Sequence, residues 1–314
     1  MTHEIKTARL TQISICIPIY EQDIRHLAQS LLSQKEKIRG VKILFYDDGS
    51  SQKCRETNHW LHNEPNVKYV ELGQNVGRAA IRNRLAASAE GEAVLFLDDD
   101  SLIDNPDFIK NYLKHNDGKT VICGGRKYTE DCPDEEHRLH WTYGSRMESK
   151  DAAHRNKRPN EAFHSNNFLI PKEIWKEVPF DENLKQYGHE DTLLGYELSR
   201  QGYPILHIDN EVIHGDLESN EMFLHKTRLA IQNLKYLYLR GNGDFNASVT
   251  LMRTFDFISK IKLSKFVAKV FAKNHEKWEE KLITAKRPSL RLFSFYKLSY
   301  LSFLLRKARE SASI

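Results

Sequence analysis

The first hundred residues alternate between short apolar runs and stretches with helical spacing, and this alternation constrains the fold more than any other feature. Four runs rich in β-branched and aromatic residues predict buried strands, at Ile13–Ile19, 41–46, 66–72 and Ala93–Leu97. Between them, residues 24–32, 51–62 and 77–89 have patterns typical of helices. Strands joined by helices of this length favour right-handed crossovers, so we expect an α/β domain with a parallel sheet.

Polar and acidic residues follow these strands at the edge where parallel sheets bind their ligands. They are Tyr20 and Glu21 after the first strand, Asp47 and Asp48 after the second, and Asp98, Asp99 and Asp100 after the fourth. Three adjacent carboxylates repel one another unless a cation neutralises them, and Mg²⁺ and Mn²⁺ prefer such oxygen ligands. A solvated acidic turn is the alternative, but the position after a buried strand favours a metal site. Asp47 and Asp48 either accept hydrogen bonds from a nucleobase or ribose, or form an ordinary turn.

Three further patterns carry candidate chemistry, and each has a structural alternative. Arg78 and Arg82 share one face near the start of a predicted helix, where they either bind a diphosphate or form surface ion pairs. Glu190 and Asp191 lie at the start of another predicted helix. They either supply a general base or only interact favourably with the helix dipole. His214 is either a metal ligand or a core histidine. HExxH, P-loop and GxSxG motifs are absent, so zincin, NTPase and serine hydrolase functions lose their main support.

The chain beyond the fourth strand is predicted to contain a polar insertion between further strands and helices. Residues 124–160 show no sustained period, which is typical of a functional loop, a lid or a disordered segment. The remaining patterns predict strands at 119–123 and 204–208, and helices at 190–201 and 218–240. Periodicity also returns at 162–170, and a short helix is predicted to begin near Pro171.

The end of the chain is strongly basic. From Leu251 onward, fifteen Lys and Arg face five Asp and Glu, a net charge of +10 that leaves −6 for the other residues. Residues 260–273 and 292–305 combine basic residues with an apolar side. Such helices either lie at an anionic membrane surface or pack on the protein with their lysines in water, and packing is slightly favoured. Nucleic acid is not an expected partner, since RNP-like aromatics and zinc-finger spacing are absent.

The sequence shows no sign of export. Residues 1–6 are polar, and no apolar run approaches the roughly 20 residues that a membrane-spanning helix needs. The four cysteines include no CxxC pair, which favours free thiols in a reducing compartment. We therefore expect a cytoplasmic location, with any membrane contact at the inner face of the cell membrane.

Taken together, these motifs resemble those of the family 2 glycosyltransferases, which have the GT-A fold. The resemblance rests on Pro18-Ile-Tyr20, Asp47-Asp48-Gly49-Ser50, Asn75-Val-Gly77 with Arg82-Asn83, Phe96-Leu97-Asp98-Asp-Asp100, and Phe180-Asp-Glu182 with Glu190-Asp191. Glu21 stands where the family frequently has Asn, and Ile81 where it usually has Ala. The similar region covers residues 13 to about 215 and leaves out the basic tail.

The resemblance implies a Rossmann-like, mostly parallel sheet flanked by helices, with a helical C-terminal extension. A GT-A domain is expected over residues 1–249, with a nucleotide-binding half at about 1–123 and an acceptor half at about 160–249. The basic helical extension is expected to occupy residues 250–314.

The implied activity is an inverting transfer of a sugar from a nucleotide-diphosphate sugar, with a UDP-sugar favoured, to an acceptor hydroxyl. A glycan or glycolipid acceptor is implied, in surface polysaccharide or glycolipid synthesis. Donor contacts are expected from Pro18, Tyr20, Glu21, Asp47, Asp48, Gly77, Arg78, Arg82, Asp98 and Asp99. Mn²⁺ or Mg²⁺ is expected at Asp98, Asp100 and His214. Asp191 is the expected general base, and Glu190 is the second candidate.

Two other functions remain open at the level of sequence. A sugar-phosphate nucleotidyltransferase would need a glycine-rich basic loop after the first strand, where this chain has Tyr20-Glu-Gln-Asp23. A nucleotide-sugar-binding module without catalysis would not need both Asp100 and Asp191.

Overall fold

The structure is a computed structural model that describes residues 12–65, 67–241 and 243–311. It divides into two compact units that interleave along the chain. The first unit combines the described part of Met1–Lys127 with Lys150–Glu182 and Glu197–Gly215. The second unit combines Tyr128–Ser149, Asn183–Tyr196 and the described part of Asp216–Ile314. The polar start of the chain, residue 66 of the third predicted strand and residue 242 lie outside the described residues.

Ten strands are described, all within the first unit. They are β1 (Ile13–Ile19), β2 (Val41–Asp47), β3 (Val67–Glu71), β4 (Ala93–Leu97), β5 (Ser101–Leu102), β6 (Val121–Cys123), β7 (Arg126–Lys127), β8 (Asn167–Pro171), β9 (Ile205–His207) and β10 (Val212–His214). Seven form one sheet in the order β3-β2-β1-β4-β8-β6-β9. Within this sheet β8 alone runs antiparallel to both of its neighbours, and the other pairs are parallel. The expected mostly parallel sheet is therefore confirmed.

Thirteen α-helices accompany the strands in the described chain. They are α1 (Arg25–Lys35), α2 (Gln52–Asn58), α3 (Arg78–Ser88), α4 (Phe108–His115), α5 (Arg138–Tyr143), α6 (Ala152–Arg155), α7 (Lys172–Glu177), α8 (Glu190–Arg200), α9 (Asn220–Leu239), α10 (Gly243–Ser248), α11 (Thr250–Lys260), α12 (Ser264–Thr284) and α13 (Leu290–Ser311). A 3₁₀ helix at His59–Asn63 and a π-helical turn at Gly144–Glu148 complete the set. Among the described residues, no helix is both long enough and apolar enough to cross a membrane.

The core of the first unit forms where the apolar strand runs meet the helices. Every residue of β4 is buried, as expected for a central strand covered on both faces. Leu27 and Leu31 of α1 lie one turn apart on one helix face and pack into this core. Full burial of each such side chain stabilises the fold by roughly 1.5–3 kcal/mol. The central strands are thereby fixed, and their ends can carry polar groups.

A second, three-stranded sheet has the order β5-β10-β7. β10 runs antiparallel to β5, with His214 opposite Ser101. The residue just before β5 is Asp100, so this short pairing brings a histidine from residue 214 to the end of the acidic triplet.

The second unit is built around α9 and the helices of the basic tail. Leu224 and Ile231 of α9 are buried, the first with Phe293 and Tyr296 of α13 and the second with Leu301 of the same helix. The apolar side of residues 292–305 is therefore mostly covered by protein. This outcome agrees with the packing that the sequence slightly favoured over membrane contact for that stretch.

The polar insertion at residues 124–160 is more ordered than its sequence indicates. It contains β7, α5, the π-helical turn and α6, and Leu139 and Arg155 within it are buried. The expectation of an irregular segment is wrong because elements of two to six residues are too short to show a sustained period.

Candidate active site

The end of β2 is tied to the loop before α3 by two adjacent aspartates. The Asp48 carboxylate accepts hydrogen bonds from the backbone N–H groups of Val76 at 2.7 Å and Gly77 at 3.1 Å. Burial raises the pKa of Asp48, although these two hydrogen bonds act in the opposite direction. Asp47 accepts the Ser50 N–H through Oδ1 at 2.7 Å. Its buried Oδ2 has no hydrogen-bond partner among the described residues, so one carboxylate oxygen remains available to a ligand.

The loop after β1 is braced against the same turn. Glu21 has a positive φ of 56°, which is uncommon for a residue other than glycine. Its backbone N–H donates to Ser50 Oγ at 2.9 Å. Its carboxylate accepts the N–H of Ser51 at 2.6 Å and the Ser51 hydroxyl at 2.7 Å. Glu21, a predicted donor contact, thus joins the carboxyl ends of two neighbouring strands.

Asp98, the first residue of the acidic triplet, is paired with arginines from α3. Arg82 is almost completely buried, and its guanidinium donates to Asp98 Oδ1. Arg78 Nη2 lies 3.5 Å from Asp98 Oδ2. Burial alone would raise the pKa of Asp98, but Arg82, Arg78 and Arg126 outweigh it and hold the pKa well below its usual range. Asp98 is therefore a carboxylate whose charge is already balanced by protein.

Asp99 differs from Asp98 although the two are adjacent. Burial raises the pKa of Asp99 to about 7, and the negative charge of Asp100 acts in the same direction. The N–H of Tyr20 donates to Asp99 Oδ2 at 2.9 Å and opposes this shift. The Tyr20 ring itself is exposed. The pKa values of the two adjacent carboxyl groups are therefore shifted in opposite directions, Asp98 downward and Asp99 upward.

Asp100 faces a histidine across the small sheet. His214 Nδ1 lies 3.1 Å from Asp100 Oδ2. The N–H of Gly215 donates to the Asp100 carbonyl oxygen at 2.8 Å. A Cβ atom at residue 215 would lie 2.8 Å from that oxygen, so a side chain there would push the two segments apart. A carboxylate and an imidazole held at this distance can share a divalent cation.

The first unit thus brings together most of the predicted donor and metal residues. Pro18 lies on β1 opposite Tyr46 of β2, next to the strand end from which Asp48 follows. Asp98, Asp99 and Asp100 follow β4, which pairs with β1. The predicted edge of the sheet is therefore a cluster of carboxylates, arginines and one histidine.

The two predicted catalytic acids lie at the start of α8, in the second unit. Glu190 is buried and Asp191 is partly buried. Asp191 Oδ1 accepts the N–H of Thr192 at 2.6 Å, and His189 Nδ1 lies 3.1 Å from Thr192 Oγ1. Burial lowers the pKa of His189, while Asp191 and Glu190 act in the opposite direction.

The segment that leads into α8 is held by a residue of α9. Asn233, which is buried, donates from Nδ2 to the carbonyl oxygens of Gln186 at 2.9 Å and Gly188 at 2.8 Å. Gly188 has a φ of 95°, and a Cβ atom there would lie 2.6 Å from Cβ of Ala230. The start of α8 is therefore fixed by close packing on α9.

A family model described as glycosyl transferase family 2 matches residues 14–178, which is more than half of the chain. The chain belongs to glycosyl transferase family 2. The family expected from the sequence is confirmed, and so is the expected α/β fold.

Two curated relatives show what this glycosyltransferase is similar to. Validoxylamine A glucosyltransferase of Streptomyces hygroscopicus subsp. limoneus is 26% identical over 230 residues, which are 63% of this chain and 50% of the relative. The minor teichoic acid biosynthesis protein GgaB of Bacillus subtilis is 24% identical over 197 residues, which are 60% of this chain and 21% of that protein. The chain spans about half the length of the first curated relatives that it matches.

A solved structure shares the fold of this glycosyltransferase. The mannosyltransferase PcManGT from Pyrobaculum calidifontis, solved with GDP-Man and Mn²⁺, aligns with a TM-score of 0.59 at 12% identity. The alignment covers 96% of this chain and 88% of that one. At this identity, the likeness extends to the fold alone.

Several residues that position the site of this glycosyltransferase were not predicted from the sequence. Asn83 Nδ2 donates to the carbonyl oxygen of Phe180 at 3.0 Å, and the Phe180 N–H donates back to Asn83 Oδ1 at 3.1 Å. Ser50 and Ser51 carry the hydrogen bonds to Glu21 described above. Asn83 and Ser50 belong to the sequence motifs quoted above, so the sequence did mark these two positions. A motif does not show, however, which groups a side chain contacts in the fold.

Proposed function

We propose that this family 2 glycosyltransferase transfers a sugar from a nucleotide-diphosphate sugar to an acceptor hydroxyl with inversion at the anomeric carbon. The observation that carries the proposal is the acidic cluster after β4, where Asp100 lies 3.1 Å from His214. Such a cluster suits the diphosphate part of a donor only if a cation lies between the two groups of negative charges.

The cluster fits a divalent cation on its own chemistry. Burial first, and then the negative charge of Asp100, raises the pKa of Asp99 to about 7, as expected for a buried carboxyl group beside a second carboxylate. We propose that Asp100 and His214 hold Mn²⁺ or Mg²⁺, which would neutralise the negative charge that develops on the departing diphosphate. Asp98, already paired with Arg82 and Arg78, is a weaker candidate ligand and a stronger candidate for the ribose.

The remaining donor contacts are proposed from the hydrogen bonds that Asp47, Arg78 and Arg82 make within the protein. Asp47 Oδ2 is proposed to accept from a nucleobase N–H, because this buried oxygen is otherwise without a partner among the described residues. Arg78 is half-exposed and is proposed to contact the diphosphate. Arg82 is buried against Asp98, and its proposed role is to hold that carboxylate in place. A UDP-sugar remains the favoured donor.

Asp191 is the proposed general base, with Glu190 as the second candidate. A carboxylate need not ionise the acceptor hydroxyl beforehand, because it only takes the proton as the new C–O bond forms. Its hydrogen bonds to Thr192 limit the orientations of the Asp191 side chain.

A glycan or glycolipid acceptor in surface polysaccharide synthesis is proposed from the family and from the relative named for teichoic acid biosynthesis. The validoxylamine A glucosyltransferase among the relatives keeps another kind of acceptor open as an outcome of acceptor screening. We propose a cytoplasmic location at the inner face of the cell membrane. The four free cysteines fit a reducing compartment.

The test is nucleotide release from a panel of UDP-, GDP- and dTDP-sugars with Mn²⁺, with and without EDTA. We expect release of the nucleoside diphosphate from one donor class, and its loss in EDTA. Asp100→Ala should weaken binding of the nucleoside diphosphate in the presence of Mn²⁺. Asp107→Ala, which removes an exposed carboxylate paired with Lys110, is the matched control and should bind normally.

Two results would contradict the proposal. Full activity in EDTA would remove the metal from the mechanism. Release of inorganic pyrophosphate from a nucleoside triphosphate and a sugar phosphate would instead identify a nucleotidyltransferase.

A further inference from the structure

The corner between α11 and α12 exposes large apolar side chains. Phe257 is 62% exposed, Ile261 50%, Leu263 46% and Phe266 64%. Phe257 lies in the last turn of α11, and Ile261 directly follows the end of that helix. Four such side chains within ten residues differ from the scattered exposed apolar residues of an ordinary surface. We call these four residues the apolar corner.

The apolar corner is an ordered turn. Lys262 has a φ of 62°, and its N–H donates to the Ser259 carbonyl oxygen at 3.0 Å. The N–H of Leu263 donates to the Ile258 carbonyl oxygen at 2.8 Å. This pair of bonds is a Schellman motif, in which glycine is the usual residue with positive φ. A lysine there costs roughly 1 kcal/mol, so the turn holds a charged side chain at some expense in stability.

The corner is surrounded by positive charge. Residues 257–275 contain five lysines and no acidic residue. All five are exposed, at Lys260, Lys262, Lys265, Lys269 and Lys273. The acidic residue on α11, Asp256, accepts a hydrogen bond from Tyr238 Oη at 2.6 Å. The five lysines therefore outnumber the acidic residues that flank this stretch in sequence, Asp256 and Glu276.

Packing within the second unit does not explain these side chains. In α12, Val267 and Phe271 are buried, and in α13 Phe293 and Tyr296 are buried. The apolar side chains that this unit needs for its own core are thus already inside. In the described part of the tail, the large apolar side chains that remain exposed are the four residues of the apolar corner and, on α13, Phe295.

We infer that the apolar corner and its lysines dock on an anionic lipid surface. Exposed aromatic and aliphatic side chains enter the boundary between headgroups and acyl chains, and the lysines contact anionic headgroups. A lipid surface matches both properties at once, whereas an apolar protein partner would leave the five lysines without counter-charges. The inference does not depend on the proposed transfer reaction and concerns a different part of the chain.

The test is co-sedimentation of the full chain with phosphatidylcholine vesicles, with and without phosphatidylglycerol, at low and high salt. We expect binding only to vesicles that contain phosphatidylglycerol, and weaker binding at high salt. The triple variant Lys260→Gln, Lys262→Gln, Lys265→Gln should bind about 100-fold more weakly, since each basic residue near the surface contributes about a factor of five. Phe257→Ser with Phe266→Ser should weaken binding about tenfold or more, because less apolar area enters the interface.

The matched control removes three positive charges elsewhere on the same tail. Lys277→Gln, Lys281→Gln, Arg287→Gln changes exposed residues that begin about 18 Å along α12 from Lys265, and it should weaken binding less than about threefold. Thermal unfolding checks that every variant is folded, as expected for exposed positions.

Three outcomes would overturn the inference. The first is equal loss of binding in the two triple variants, and the second is equal binding to both vesicle types. The third is a concentration-dependent dimer that Phe257→Ser with Phe266→Ser abolishes, without vesicle binding. That result would show that a second copy of the chain covers the corner.

Discussion

The guanidinium of Arg82 is buried in the interior of the first unit, where it pairs with Asp98 and lowers the pKa of that carboxyl group. The guanidinium also lies 5.8 Å from the ring of Phe180. A buried ion pair adds little net stability, but removal of one partner leaves an uncompensated charge. The pair is therefore best probed from both sides.

Arg82→Met should lower the free energy of unfolding by about 3–5 kcal/mol, because Asp98 loses its main counter-charge. Arg82→Met with Asp98→Asn should recover most of that loss, since the uncompensated carboxylate is gone. Urea unfolding of the two single variants and the double variant measures the coupling. If the free-energy losses of the two single variants simply add up in the double variant, the interaction between Arg82 and Asp98 has no coupling energy.

Asp191 tests the assignment of the general base. Asp191→Asn keeps the shape of the side chain but cannot accept the proton, so kcat should fall by about 10²–10⁴-fold. Binding of the nucleotide sugar, measured by calorimetry, should be unchanged. Glu190→Gln is the comparison. If that variant loses turnover and Asp191→Asn does not, the base is Glu190.

At the scale of elements, the sequence predicted the strands and helices of the first hundred residues well. β4 is entirely buried, as its uninterrupted apolar run predicts. The polar residues after each strand were expected at one edge, because parallel strands end on the same side of a sheet. The pairing of Asp100 with His214 could not be derived from the residues alone, since it depends on the antiparallel contact of β5 with β10.

The turn after β2 offers a test of how closely two loops must approach. Gly49 has a φ of 77°, and a Cβ atom there would lie 2.6 Å from the backbone nitrogen of Asn75. Gly77 has a φ of 91° but no atom within 4 Å of such a Cβ. Both glycines have a positive φ that would strain any other residue, but the two positions differ in crowding.

Gly77→Ala should therefore lower the free energy of unfolding by about 1–2 kcal/mol through strain alone. Gly49→Ala should lower it further and should also weaken nucleotide binding, because the loop that Asp48 holds must move. Thermal unfolding and calorimetry of both variants provide the comparison. Equal effects of the two substitutions would show that the close approach at Gly49 can relax.

At the scale of the whole molecule, each unit is assembled from segments that are distant in sequence. In the second unit, Asn220 Nδ2 donates to the carbonyl oxygens of Glu135 at 2.9 Å and Ile283 at 2.8 Å. Its Oδ1 accepts the N–H of Leu139 at 2.7 Å. One buried amide thus joins α9, the insertion and the end of α12. Local periodicity carries no information on such contacts, so the order of the insertion could not be predicted from the sequence.

These contacts predict what happens when the basic tail is removed. A chain ending at Ser248 loses Phe293 and Tyr296, which are buried with Leu139 and Leu224, and it loses Leu301 beside Ile231. Loss of several large core side chains at roughly 2–5 kcal/mol each exceeds the stability of a typical domain. We expect the shortened chain to aggregate or to unfold without cooperativity, as followed by circular dichroism and calorimetry. A shortened chain with a sharp unfolding transition would show instead that the tail is an independent extension.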